Sequence, residues 1–116
     1  MTAARFDPLI HAPTKLAIVS LLAAADWAEF RFLRDSTGLS DSALSKQLSS
    51  LEAAGYLEIR RGFVGKRPRT SARLSPAGRS AFDGHVAALE QIVAGRWGSP
   101  EPAGARPVPG QATDAG

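Results

Sequence analysis

The chain has 116 residues, 44% of them hydrophobic, and a formal net charge of +3, which allows one modest core and not two. It contains no cysteine, so disulfides, thiolate metal sites and thiol redox sensing are excluded. No apolar run approaches the ~18 residues of a membrane span, and Met1 to Pro8 holds Arg, Asp and Pro where a signal peptide would be apolar, so a cytoplasmic protein is expected.

Residues 1–8 read as a flexible N-terminal arm, and a single domain is expected over 9–97. Pro13 suits the first turn of a helix that runs to about Ala24. Leu16, Val19 and Ala23 line one side of that helix, while Ile18, Leu21, Leu22 and Ala25 line the adjacent side. So wide an apolar surface can serve a core and a dimer interface together. Asp26 and Trp27 mark a break. A second helix is predicted from about Glu29 to Ser36, with Phe30 and Leu33 inward and Arg31, Arg34 and Asp35 outward. Thr37-Gly38-Leu39-Ser40 is the turn, and Ser40 is a good N-cap for the next helix.

In the third helix Leu44, Leu48 and Leu51 recur at i, i+4 and i+7 and share one face. Ser42, Lys46 and Ser49 fall on the opposite side and Ser45 on the flank, by the ~100° step per residue of an α-helix. A solvated face would usually carry several long charged side chains. Small hydroxyls and one cation instead let a helix approach a flat polar surface closely, and the major groove of DNA is such a surface. Gly55 ends the helix. Tyr56 to Phe63 then alternates apolar with polar, the mark of a half-buried strand. Gly65-Lys66-Arg67-Pro68-Arg69 reads as a charged turn, with Gly62 also a turn residue, and Thr70 to Leu74 as the return strand.

Ser75-Pro76 opens the last helix with a hydroxyl cap and proline at the first position. Phe82, Val86, Leu89 and Val93 form a heptad-like seam along it. Residues 98–116 contain four Gly and four Pro and almost nothing apolar, and are expected to be a disordered tail.

The charge is concentrated in one stretch. Residues 1–55 hold five Lys/Arg against six Asp/Glu, residues 56–79 seven against Glu58 alone, and residues 80–116 two against four. The hairpin and its immediate sequel therefore carry all the excess positive charge, as a polyanion binder requires. Chemistry of other kinds finds little support. His11 and His85 lack a metal-ligand spacing and read as ordinary packed or surface histidines, although across a dimer they could meet and bind metal or titrate. No nucleophile is paired with an orienting base, and no phosphate-binding glycine loop follows a strand, so no enzyme, metal or cofactor is expected. Phe30, Tyr56, Phe63 and Phe82 read as core side chains and not as base-stacking platforms.

Helix, hairpin and basic tip together describe a winged helix-turn-helix: mainly α with a small β-hairpin, about four helices and a two- or three-stranded wing sheet. LEAAGYLEIRRGFVGKRPRTSARLSPAGRSAF, with FDPLIHAPTKLAIVSLL before it, resembles the winged-helix DNA-binding regulators of the MarR and ArsR groups. The resemblance spans roughly residues 6–94. It implies a homodimer built through the terminal helices, with Leu16, Val19, Phe82, Val86, Leu89 and Val93 as interface candidates. Ser42, Ser45, Lys46 and Ser49 are the candidates for major-groove and nearby phosphate contacts. Lys66, Arg67 and Arg69 are the candidates for wing contacts, and Arg60, Arg61 and Arg73 for the DNA backbone. Duplex DNA carrying an inverted repeat is the expected partner; an effector is left open. The alternative is a winged helix that offers its basic hairpin to an acidic protein.

Overall fold

The computed structural model describes residues 3–96; the tail expected over 98–116 lies outside them. Five helices and three strands follow in chain order: α1 Pro8–His11, α2 Pro13–Ala23, β1 Ala28–Glu29, α3 Phe30–Thr37, α4 Asp41–Ala53, β2 Leu57–Val64, β3 Arg67–Leu74 and α5 Pro76–Val93. The α+β winged-helix class read from the sequence is thus the one observed.

The core forms where the helical stripes meet the base of the sheet. Ile18, Val19 and Leu22 of α2, Leu33 of α3 and Leu44, Leu48 and Leu51 of α4 pack with Leu57, Ala72 and Leu74 of the strands. Caps set the helix starts. The Ser40 hydroxyl accepts from the Ala43 N–H at 3.1 Å to begin α4, and the Ser75 hydroxyl accepts from the Gly78 N–H at 3.0 Å to begin α5. The Ser75 hydroxyl also donates to the Gly55 carbonyl at 2.6 Å, which ties the start of α5 to the end of α4. That crossing is tight: a Cβ on Gly78 would lie 2.0 Å from the Tyr56 carbonyl oxygen, so no larger residue fits without moving backbone.

The sheet is antiparallel in the order β1-β3-β2. The register of its long ribbon runs from Leu57 opposite Leu74 to Val64 opposite Arg67. Only Gly65 and Lys66 are left for the turn. Gly65 takes φ +64°, and no other residue type has positive φ among the described residues, so the turn is of the glycine-first, type II′ kind. The turn expected over Gly65–Arg69 is therefore shorter than read. Arg67, Pro68 and Arg69 belong to β3, and Gly62 is a strand residue opposite Arg69. Proline is tolerated there because β1 pairs only with Ser71 and Ala72, which leaves β3 an open edge beside Pro68.

The segment expected as a loose arm is tied down from Arg5 onward. The Arg5 N–H donates to the Gly84 carbonyl at 2.8 Å, and the Asp7 N–H donates to His85 Nδ1 at 3.0 Å. Asp7 also caps α1, accepting from the Leu9 and Ile10 N–H groups, while its second oxygen accepts from the Tyr56 hydroxyl. Ile10 is fully buried. The composition of the arm gave no hint of its contacts with Tyr56, Gly84 and His85, because all three lie far along the chain.

Candidate nucleic-acid interface

The amphipathic split of α4 determines what it can offer. With Leu44, Leu48 and Leu51 committed to the core, Ser42, Ser45, Lys46 and Ser49 are all exposed on the free side. An ion pair between Arg34 and Asp41 at 3.2 Å links α3 to the first turn of α4. Lys46 makes no ion pair among the described residues, so its charge is available to a partner.

The ribbon sorts its cations into two groups. Toward the base they are engaged within the fold. Arg73 donates to Glu58 at 2.8 Å and lies 3.6 Å from Asp26, and the Glu58 carboxylate favours its charged form still further. Arg60 and Arg73 both stack on Trp27, their guanidinium carbons 4.1 and 4.5 Å from its ring centre. Arg61 is 3.6 Å from Glu52, and Arg69 pairs with Glu29 at 2.7 Å. Lys66 and Arg67, at the tip, have no such partner among the described residues. Of the six ribbon residues expected to touch DNA, these two are therefore free. Arg60, Arg61, Arg69 and Arg73 remain exposed in part, but each is already held.

Trp27 was legible only as a break in the helical pattern. Its role as a platform for two arginines depends on β1 pairing with β3, a contact between distant parts of the chain that no local signal announces. Phe63, expected in the core, is 73% exposed, because the ribbon carries it beyond the last core rung. Phe30, Tyr56 and Phe82 do pack against the core as expected.

The six interface candidates divide differently. Val19 is fully buried inside the protomer and has no surface for a second chain, so that assignment is corrected. Leu16, Phe82, Val86 and Leu89 are half-buried, with Phe82 packed against the core cluster, and Val93 is 87% exposed. Val86, Leu89, Glu90, Val93 and Ala94 line an open groove of about 340 Å³ along α5.

The two histidines meet within one protomer. His11 Nδ1 lies 3.2 Å from His85 Nε2, with Phe6 packed against both rings, tilted to the first and edge-on to the second. His85 is fully buried; its Nδ1 accepts from the Asp7 N–H, so Nε2 carries the proton of the neutral ring and donates to His11. Burial first, and then the neighbouring His11, push the His85 pKa down. The Tyr56 pKa is pushed up, chiefly by its hydrogen bond to Asp7. No group of three or more His, Cys, Asp or Glu that could hold a metal ion occurs among the described residues. No described helix is long and apolar enough to cross a membrane.

A family model described as a winged helix DNA-binding domain matches residues 14–93. Solved structures with the same fold include a transcriptional regulator homologue from Pyrococcus horikoshii, at TM-score 0.69 and 21% identity over 75% of this chain and 86% of that one. The homodimeric winged helix-turn-helix DNA-binding domain of a Mycobacterium bovis protein aligns at TM-score 0.55 and 24% identity, over 76% of this chain and 73% of that one. A MarR-family transcriptional regulator from Silicibacter pomeroyi aligns at TM-score 0.54 and 27% identity, over 79% and 62%. The chain belongs to the winged helix DNA-binding domain family, and the resemblance to MarR- and ArsR-type regulators read from its sequence is upheld.

Proposed function

We propose that this winged-helix protein is a transcriptional regulator that binds duplex DNA as a homodimer at an inverted repeat, with α4 in the major groove and the β2–β3 tip on the minor groove or backbone. One observation carries the reading. The exposed side of α4 presents Ser42, Ser45, Lys46 and Ser49, while the free cations of the ribbon, Lys66 and Arg67, are confined to its tip. A generic basic surface would not separate free from engaged charges in this way. Lys66 and Arg67 are assigned the main wing contacts, Arg69 a contact conditional on release from Glu29, and Arg60, Arg61 and Arg73 weaker backbone roles. Few long side chains reach the bases, so specificity leans on DNA shape and dimer spacing.

The dimer is assigned to α5 and the N-terminal end, around Leu16, Phe82, Val86, Leu89 and Val93. An exposed valine beside an apolar groove supports it, as does the homodimeric state named for the Mycobacterium bovis relative. The domain proposed over residues 9–97 takes in Arg5 and Asp7 as well, since the backbone N–H groups of both bond to α5. Selection of bound sequences from a random duplex pool tests the whole reading, since a symmetric site with fixed half-site spacing is the expected product. On that site a dimer making about 6–10 phosphate contacts loses about 10³–10⁵-fold in affinity between 50 and 200 mM salt. A flat salt response, or preference for an acidic peptide over duplex in competition, overturns it.

A further inference from the structure

The ribbon has an apolar end as well as a cationic one. Along β2, Leu57, Ile59, Arg61 and Phe63 alternate onto one face, opposite Leu74, Ala72, Thr70 and Pro68 of β3. This is the face that meets α4: Leu57 and Ile59 pack with its leucines, and Arg61 reaches Glu52 at its C-terminal turn. Phe63 lies two residues further out, roughly 7 Å along the strand, on the same side of the ribbon as α4. It is 73% exposed, Pro68 opposite it is exposed, and Val64 on the other face is 54% exposed. The core does not use these side chains, and an exposed apolar ribbon end invites unwanted association unless something covers it.

The surrounding charge says what covers it. Residues 61–70 contain Arg61, Lys66, Arg67 and Arg69 and no carboxylate. Lys66 occupies the turn and Arg67 the last rung, on the Val64 face of the ribbon; both are unpaired among the described residues. An apolar ribbon end with free cations at its tip fits a polyanion that has an apolar interior, and the minor groove of a duplex offers stacked bases between two phosphate rails. A duplex receiving α4 in its major groove lies on the side toward which Phe63 points. We propose that Phe63, backed by Pro68, enters the minor groove next to the α4 contact and wedges against a base step, bending the duplex and favouring easily unstacked pyrimidine–purine steps. This rests on the DNA-binding reading above and makes Phe63 a specificity residue.

The test uses the full chain on the duplex selected for it, with affinity read by anisotropy and bending by energy transfer between the duplex ends. Phe63→Ala is expected to lose on the order of tenfold in affinity, the scale of forfeiting one wedged base step, and to leave the duplex straighter. Its salt slope should match wild type, because no phosphate contact is removed. Phe63→Leu should restore most of the bend. Independently of any variant, wild-type protein should weaken when the flanking TA or CA step is replaced by a G·C-rich one, or when netropsin occupies the minor groove. Wild-type protein that binds while Phe63→Ala binds and bends identically overturns the wedge and leaves the DNA reading standing. Failure of wild type to bind any duplex overturns both. Phe63-dependent attachment to phosphatidylserine vesicles, with no Phe63 effect on DNA, overturns the wedge in favour of a membrane surface.

Discussion

The β2–β3 ribbon is continuous, yet its two halves obey different rules. In the inner half, Leu57, Ala72 and Leu74 are buried, and Arg60 and Arg73 are held on Trp27, Glu58 and Asp26. In the outer half Phe63 and Val64 stand in solvent, and Lys66 and Arg67 have no ion-pair partner among the described residues. Apolar side chains and cations occur in both halves; the difference is whether another element lies alongside. β1 reaches only Ser71 and Ala72, and the α4 leucines meet only the inner rungs. Beyond that point a residue spent on the fold has no neighbour to stabilise, and the side chains there are available for an external surface. Stability and recognition are thus separated along one strand pair.

The largest expected effect contrasts one residue from each half. Leu57→Ala leaves a cavity among Leu44, Leu48 and Leu51 and should cost about 2–5 kcal/mol. For a domain of this size that is a fall in melting temperature of roughly 10 °C or more. Phe63→Ala removes a larger side chain on the same face and should change stability by no more than about 0.5 kcal/mol. Equal losses in the two melting curves would mean that the outer half is covered by the fold after all.

The charges should divide in the same way. Lys66→Ala with Arg67→Ala is expected to lower the slope of log affinity against log salt by about two units, one for each phosphate no longer neutralised. Arg73→Ala, removing a weaker backbone contact already held by Glu58, should lower that slope by clearly less while loosening the platform on Trp27. Filter binding of one duplex across a salt series measures both, and a slope that falls more for Arg73→Ala would reverse the assignment of the halves.

Acid should weaken the end of the molecule on which the inner half rests. His85 is buried neutral, with its pKa pushed down, and it faces His11, Asp7 and, through Asp7, Tyr56. The unfolded chain, with an ordinary histidine pKa near ~6.5, takes up the proton first. Stability is therefore complete above that pH and is lost as pH falls through the window toward the lower folded value. Melting temperature should drop between pH 7.5 and 5.5, and less so in His85→Gln, which can still accept from the Asp7 N–H. An unchanged pH profile in that variant would show that the acid sensitivity lies elsewhere.

Which of these features the sequence revealed depended on how local their cause is. The face of α4 followed from the spacing of Leu44, Leu48 and Leu51, and its start from the Ser40 hydroxyl, all within a few turns of chain. Ser75-Pro76 marked α5 for the same reason. The tip was misjudged because Pro68 and its flanking arginines have turn composition, whereas the register is set by Val64 facing Arg67 and by Gly65 taking the left-handed angle. Phe63 follows the same alternation as Leu57 and Ile59, so pattern alone placed it in the core; the end of the core is a property of α4 and β1, not of β2. The pairing of Arg69 with Glu29, and of His85 with His11, joins residues dozens of positions apart, and no window on the sequence contains both.

The smallest predicted effect lies at the boundary between the halves, at Arg69. Its 2.7 Å bond to Glu29 is between two side chains that are both about half exposed, a geometry in which solvent screening leaves little net stabilisation. Glu29→Gln should therefore barely change the melting temperature. It should release the guanidinium, however, and raise the salt slope by up to about one unit as Arg69 gains a phosphate. Loss of a carboxylate near DNA would also tighten binding without any help from Arg69, so the single variant does not isolate the cause. The cycle with Arg69→Ala does. If Glu29 restrains Arg69, Arg69→Ala should cost little in the wild-type background and should erase most of the gain in Glu29→Gln. If Arg69→Ala costs the same in both backgrounds, the two residues act independently on DNA, and the boundary between engaged and free cations lies further in than the ion pair suggests.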